Sequence, residues 1–199
     1  MEARYRAFVG IALPESYQQA LGAIRDRLRP LTPAPLAWTR PGNWHLTLQF
    51  LGDVPLVGPS GLEAVTAALA GIRFASFPLA AAGGGFFPQS KRPRVAWVGL
   101  HTGEADCRLL AAAVGRALAP VGYPPEDRPF AAHLTLGRIR DPSRASDWQA
   151  VERELAAVHL PETRVSALTL WRSVLQPGGP RYEVLATFPA EAAFSRLTI

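Results

Sequence analysis

The tetrapeptide His45-Leu46-Thr47-Leu48 returns unchanged as His133-Leu134-Thr135-Leu136. The chain holds 4 histidines, ten threonines and 25 leucines, a composition from which such a tetrapeptide arises about 0.003 times by chance. Two copies therefore point to an internal duplication. Residues i and i+2 of a strand share a face. On strands, His45 and Thr47 face one way, as do His133 and Thr135, and the four leucines enter a core. If the two halves pack about a pseudo-twofold axis, two imidazoles and two hydroxyls converge on one cleft. That set suits in-line displacement at phosphorus, with one neutral histidine taking a proton from the attacking oxygen and one protonated histidine giving a proton to the leaving oxygen. An imidazole pKa near 6.5 makes both states accessible around neutral pH, and threonine hydroxyls can donate to nonbridging phosphate oxygens. A lone His-x-Thr on a strand is ordinarily structural, the histidine capping a loop and the threonine filling a pleat. The leucine-framed duplicate is what favours chemistry.

The elements that must carry these residues follow from apolar periodicity. Tyr5 to Leu13 is an apolar run ended by Pro14 and predicts a strand. Pro14 to Arg29 predicts a helix on the spacing of Tyr17, Leu21, Ile24 and Leu28. Pro30 to Pro35 reads as a loop, and Trp38 ends a short strand before the Pro41-Gly42 turn. Trp44 to Leu51 predicts a strand closed by Gly52-Asp53, and Gly61 to Ile72 a helix. Phe74 to Ala82 predicts a strand followed by a loop at Gly83-Gly84-Gly85. The same grammar repeats: a strand over Arg94 to Leu100, a helix over Glu104 to Ala119, a strand over Phe130 to Ile139, and a helix over Ser143 to Val158 with Ser146 a candidate cap. Arg164 to Leu175 and Tyr182 to Phe188 predict a hairpin around Pro177-Gly178-Gly179-Pro180. Short connections and a closing hairpin favour an α+β fold with mainly antiparallel sheets over a doubly wound parallel sheet. The expected organisation is one domain over residues 1–199, built from two related lobes.

Composition narrows the function classes. The 199 residues are 48% apolar and 19% charged, as in a soluble globular protein and not a disordered chain. A chain of this length buries roughly 70% of its unfolded surface and needs no disulfide or metal staple. No run approaches the ~18 apolar residues of a membrane span. The opening Met1-Glu2-Ala3-Arg4 lacks a signal core, so the expected compartment is the cytoplasm. Cys107 is the only cysteine, which excludes an intramolecular disulfide and a cysteine metal cage. A net charge of +5 and a pI near 10.1 favour an anionic partner without saying which. Lys91 is the only lysine among 21 basic residues; this arginine bias reads as a GC-rich genome before heat adaptation.

The chain resembles the RNA 2′,3′-cyclic phosphodiesterases, also called 2′-5′ RNA ligases, of the two-histidine phosphoesterase superfamily. The resemblance spans nearly the whole chain. It is carried by Arg6-Ala-Phe8-Val-Gly-Ile-Ala-Leu-Pro14, by Asn43-Trp-His45-Leu-Thr47-Leu-Gln-Phe-Leu-Gly52, by Arg92-Pro-Arg94-Val-Ala-Trp97-Val-Gly-Leu100, by Phe130-Ala-Ala-His133-Leu-Thr135-Leu-Gly-Arg138, and by Leu168 to Tyr182 through Ser173. One departure is Ala132, where the family commonly has proline. The resemblance implies a bilobal fold with both histidines in a central cleft. It implies hydrolysis of 2′,3′-cyclic phosphate RNA ends to 2′-phosphates without metal or other cofactor, with reverse 2′-5′ ligation as a further activity. His45 would be the proton donor to the departing 3′ oxygen and His133 the base activating water, with Thr47, Thr135 and Arg138 binding substrate. The partners expected are RNA with cyclic phosphate ends or cyclic nucleotides, with no membrane, no obligate protein partner and a monomeric chain.

Other residues admit competing readings. Arg138 suits bidentate phosphate binding, yet five residues from His133 it falls on the opposite face of an unbroken strand. A bulge or strand end at Gly137 would re-aim it; a surface salt bridge is the alternative. Trp44, Phe8 and Phe130 could stack on a base, although aromatics at such places are more often core. His101 reads as a loop residue and His159 as a helix-terminal one. Gly83–Gly85 lacks the ending of a phosphate loop. The rival functions are a phosphodiesterase acting on a small nucleotide such as ADP-ribose cyclic phosphate, a noncatalytic RNA-binding module, and a metallohydrolase, for which neither motif is flanked by suitable ligands.

Overall fold

The computed structural model describes residues 3–89, 92–140 and 147–191. Along the chain run β1 (Arg4–Ala12), α1 (Glu15–Leu28), β2 (Leu36–Trp38), β3 (His45–Pro55), α2 (Leu62–Ala70), β4 (Phe77–Phe87), β5 (Val95–Thr102), α3 (Glu104–Leu118), β6 (Leu134–Ile139), α4 (Gln149–Ala156), β7 (Thr163–Val165), β8 (Ala167–Val174) and β9 (Arg181–Pro189). The duplication is visible in the helices. Both long ones run into a 3-10 turn built on a proline, Arg29-Pro30-Leu31 after α1 and Ala119-Pro120-Val121 after α3.

The strands form one sheet in the order β7-β4-β5-β6-β3-β1-β8-β9, with β2 added beside β6. Every ladder between these strands is antiparallel. The sheet has two halves, and among the described residues their strands pair only at Leu46 and Leu134. Each half borrows a strand from the other repeat. β4, made by the first repeat, pairs with β5 of the second, and β8, made after the second, pairs with β1 of the first. The halves are thus laced together by the chain itself.

One face of the sheet is covered by helices. Tyr17, Leu21, Ile24 and Leu28 of α1 are buried, as are Leu110, Val114 and Leu118 of α3, both at helical spacing, and Cys107 joins the second stripe. They meet Val9, Ile11, Leu46, Leu134, Leu136, Leu168 and Leu170, all buried from the sheet. Each such side chain contributes about 1.5–3 kcal/mol on leaving water. The Tyr17 hydroxyl donates to the Pro161 carbonyl at 2.7 Å and accepts the Ala81 N–H at 3.2 Å, tying α1 to segments of the far half.

Five sequence expectations need correction. Gly83–Gly85 is no loop: β4 continues through it to Phe87. A Cβ on Gly84 would strike the Trp97 carbonyl, and one on Gly85 would lie 3.2 Å from the Trp97 ring. The glycines let a strand carrying an indole approach β4. β3 runs past Gly52-Asp53 to Pro55, because Gly52 takes a left-handed φ of 69° inside the strand. β6 begins only at Leu134, so Phe130 to His133 lies outside the strand, in the segment leading into it. The predicted strand Arg164–Leu175 breaks at Ser166 into β7, which pairs with β4, and β8, which pairs with β9. The helix expected from Ser143 starts at Gln149, and Ser146 lies outside the described residues.

Candidate active site

Both motif histidines lie at the seam between the two halves. Antiparallel register through the Leu46–Leu134 pair sets His45 across from Thr135 and Thr47 across from His133, so the four side chains form a square on the face without helices. Each imidazole is held by the carbonyl two residues upstream. His45 Nδ1–H donates to Asn43 O at 2.7 Å, and His133 Nδ1–H donates to Ala131 O at 2.8 Å. A carbonyl only accepts, so Nδ1 keeps its proton and Nε2 is the nitrogen free to exchange one. At His45 that nitrogen meets Thr47 Oγ1 at 2.9 Å. The threonine donates to the neutral ring and accepts from the protonated one.

The backbone ahead of His45 is fixed from three directions. Gln18 of α1 uses both ends of its side-chain amide on Trp44, donating to its carbonyl at 2.7 Å and accepting its N–H at 3.3 Å. Asn43 Nδ2 donates to the Pro180 carbonyl at 2.7 Å, and Arg40 Nη2 to the Pro177 carbonyl at 3.2 Å. These two bonds dock the β8–β9 turn against the loop leading into β3. On the other strand Thr39 Oγ1 donates to the Thr135 carbonyl at 2.8 Å.

A matched pair of bulges re-aims the strands beyond the motifs. Trp97 and Ala96, adjacent on β5, pair with Thr135 and Gly137, leaving Leu136 over. Gly10 and Val9, adjacent on β1, pair with Thr47 and Gln49, leaving Leu48 over. Each extra residue reverses the parity of the strand beyond it. Leu136 and Gly137 are consecutively buried, and so are Leu48 and Gln49. Arg138, three residues after Thr135, consequently turns to the same cleft as Thr135. Phe50, three residues after Thr47, does so too and is 54% exposed. The two copies thus present a guanidinium from one half and a phenyl ring from the other.

The cleft has a volume of about 810 Å³, and its lining includes His45, Thr47, His133, Thr135 and Arg138 with Arg6, Phe50, Ser173 and Tyr182. His45 rests on Phe8, ring centroids 4.7 Å apart, and meets Tyr182 edge-on at 5.1 Å. His133 meets Phe87 edge-on at 5.0 Å. Burial among these rings pushes the His45 pKa down to about 4; the Asn43 carbonyl opposes the shift, and the charges of His133 and Arg138 add to it. His133 is also lowered, first by burial and then by Arg138, against the pull of the Ala131 carbonyl. Burial raises the Tyr182 phenol, while Arg138 and Arg6 draw it back. Burial thus favours the neutral form of both imidazoles, which spacing alone could not have indicated. Among the described residues no three His, Cys, Asp or Glu side chains gather as a metal site, and no helix is long and apolar enough to cross a membrane.

The remaining sequence candidates separate cleanly. Phe8 is buried beneath His45. Trp44 is core, its indole against Gly22 and Arg25 of α1, and Phe130 packs on the core from its edge. His101 is in β5 and not in a loop, exposed and outside the cleft lining, and His159 beyond α4 is likewise exposed and outside it. Sequence reasoning missed Gln18, Phe50 and Tyr182 as parts of the site. Only Phe50 left a signal: its offset from Thr47 equals that of Arg138 from Thr135.

Comparison with known proteins agrees with this geometry. The family model described as LigT like Phosphoesterase matches residues 11–97 and 102–182. A protein of Aeropyrum pernix named RNA 2′,3′-cyclic phosphodiesterase is 34% identical over 167 residues, covering 83% of this chain and 92% of its own. One of the same name from Methanothermobacter thermautotrophicus is 31% identical over 186 residues, covering 93% and 98%. The crystal structure of E. coli LigT complexed with 3′-AMP superposes with a TM-score of 0.73 at 26% identity, over 95% of this chain and 99% of that one.

Proposed function

Since this chain belongs to the LigT-like phosphoesterase family, we propose that it hydrolyses RNA 2′,3′-cyclic phosphate ends to 2′-phosphates by acid–base catalysis from His45 and His133. The chain is a phosphodiesterase; the relatives that carry this activity in their name match it over most of its length. The observation that best supports the two-histidine reading is the twice-built imidazole, with Nδ1 pinned by the carbonyl at i−2 and Nε2 turned to a cleft that Arg138 also lines.

In this reading Arg138 binds the nonbridging oxygens, and Thr135 and Thr47 add hydroxyl donors. His133 Nε2 takes a proton from water as its oxygen bonds to phosphorus, and the bond from phosphorus to O3′ breaks. His45 Nε2–H gives its proton to that oxygen, leaving a 2′-phosphate and a 3′-hydroxyl. A 5′-hydroxyl in the place of water would yield a 2′-5′ linkage by the same transfers. Phe50 offers its exposed ring to the base of the terminal nucleotide. The working unit is a single two-lobed domain over residues 1–199, acting as a monomer in the cytoplasm and needing no metal.

The test is turnover of a 2′,3′-cyclic nucleotide by the His45→Ala and His133→Ala proteins. Each should fall by at least the ~10²–10⁴-fold typical of losing a general acid or base. Near-normal turnover by either would overturn the mechanism.

A further inference from the structure

Beyond the main cleft a second groove of about 380 Å³ runs along β4 and β5, and it takes no part in the reaction described above. Gly84 and Gly99 contribute only backbone to its lining, and the Trp97 ring lies so close over Gly99 that a Cβ there would be 3.2 Å from it. Its wall is aromatic: Phe87 and Trp97 stack with centroids 4.9 Å apart and planes 24° apart. Glu104 stands exposed in the lining. Both aromatic rings are only partly buried, although two large aromatic side chains on a sheet face would ordinarily be covered.

The groove is continuous with the catalytic cleft. Phe87 meets the edge of His133 at 5.0 Å. Ala131, whose carbonyl holds His133 Nδ1, lines the groove together with Ala132. Whatever lies against Trp97 is therefore one aromatic ring away from the phosphate site. A flat π-surface laid against glycine backbone, next to a phosphate site in a chain of net charge +5, has the form of a base-stacking platform. The Glu104 carboxylate, which only accepts, suits a base amino group or a ribose hydroxyl and disfavours a phosphate in the groove itself.

Resting on the RNA reading above, we infer that this groove is a second base subsite. It takes the base of the nucleotide that precedes the cyclic-phosphate terminus, stacked on Trp97. The consequence is a preference for oligonucleotide ends over free cyclic nucleotides.

The experiment compares kcat/KM for a dinucleotide ending in 2′,3′-cyclic phosphate with that for the matching cyclic mononucleotide, in the full-length protein and in Trp97→Leu and Trp97→Phe. Base stacking is worth ~1–3 kcal/mol, so the unaltered protein should prefer the dinucleotide by about 5- to 150-fold. Trp97→Leu should abolish that preference with the mononucleotide rate unchanged, and Trp97→Phe should keep most of it. Equal rates on the two substrates in the unaltered protein would overturn the inference, as would a Trp97→Leu loss equal on both. If Trp97→Leu fails to fold, the wild-type ratio and the Trp97→Phe protein still decide. Absence of hydrolysis on both substrates would instead refute the proposed reaction, a different failure from loss of the dinucleotide preference.

Discussion

Loading the cleft with a phosphate should change which protons its histidines hold, and the structure sets the size of the effect. In the free protein His45 is pushed down to about 4, so at pH 7 only ~10⁻³ of it is imidazolium. A general acid so seldom protonated needs its substrate to supply the missing charge. A phosphate anion ~4 Å from the ring, at an effective dielectric of ~20, stabilises the imidazolium by about 4 kcal/mol. At 1.36 kcal/mol per unit this equals about 3 pKa units, which brings His45 to about 7 in the complex. The assay is an NMR titration of the imidazole nitrogens between acid and neutral pH, without and with saturating adenosine 2′-monophosphate. His45 should titrate near 4 when free and near neutrality when bound, and His133 should also move up on binding. In kinetics, kcat/KM reports the free protein, so its bell should peak on the acid side of the ordinary imidazole value, with kcat peaking at higher pH. A free His45 titrating at an unperturbed 6.5, or one unmoved by the nucleotide, would refute the reasoning.

The same displacement reaches stability. A histidine whose pKa is lower folded than unfolded takes up its proton first in the unfolded chain. The stability is present above the unfolded value of 6.5 and is lost as pH falls toward 4, by roughly 3 kcal/mol; the midpoint of urea unfolding followed against pH should lose much of that dependence in His45→Gln. Arg138→Ala removes a charge-assisted contact worth ~1.5–3 kcal/mol, so affinity for a nucleoside 2′-phosphate, measured by calorimetry, should fall about 10- to 150-fold. Thr47→Val should lower kcat and displace the pH limb belonging to His45, whereas Thr135→Val should lower kcat without displacing it, because among the described residues Thr47 is the one threonine that bonds an imidazole nitrogen; identical profiles would contradict the asymmetry. Activity should survive excess chelator, checked by turnover after exhaustive treatment.

Much of the site is local in character and so was legible along the chain. A period of two puts His45 with Thr47 and His133 with Thr135, and the intervening leucines announce a buried reverse face, as Leu46 and Leu134 confirm at 0% exposure. Helical spacing identified the buried stripes of α1 and α3 for the same reason, since a helix's hydrogen bonds close within four residues. Even the re-aiming of Arg138 could be framed as a need for a bulge near Gly137.

Everything set by contacts between distant segments waited for the tertiary structure. Whether Leu136 and Leu48 bulge depends on how β5 and β1 pair with them, and sheet register is a nonlocal choice that a strand's own residues leave open. The exchange of β4 and β8 between halves, and the pair that joins those halves at Leu46 and Leu134, are of the same kind. Gly83–Gly85 looked like a turn because glycine's local preference is for turns, and only the approach of Trp97 explains it as strand. The protonation of the histidines belongs here too. The sequence names two imidazoles, whereas their pKa values are decided by how much water Phe8, Phe87 and Tyr182 exclude, and that is a property of packing in three dimensions.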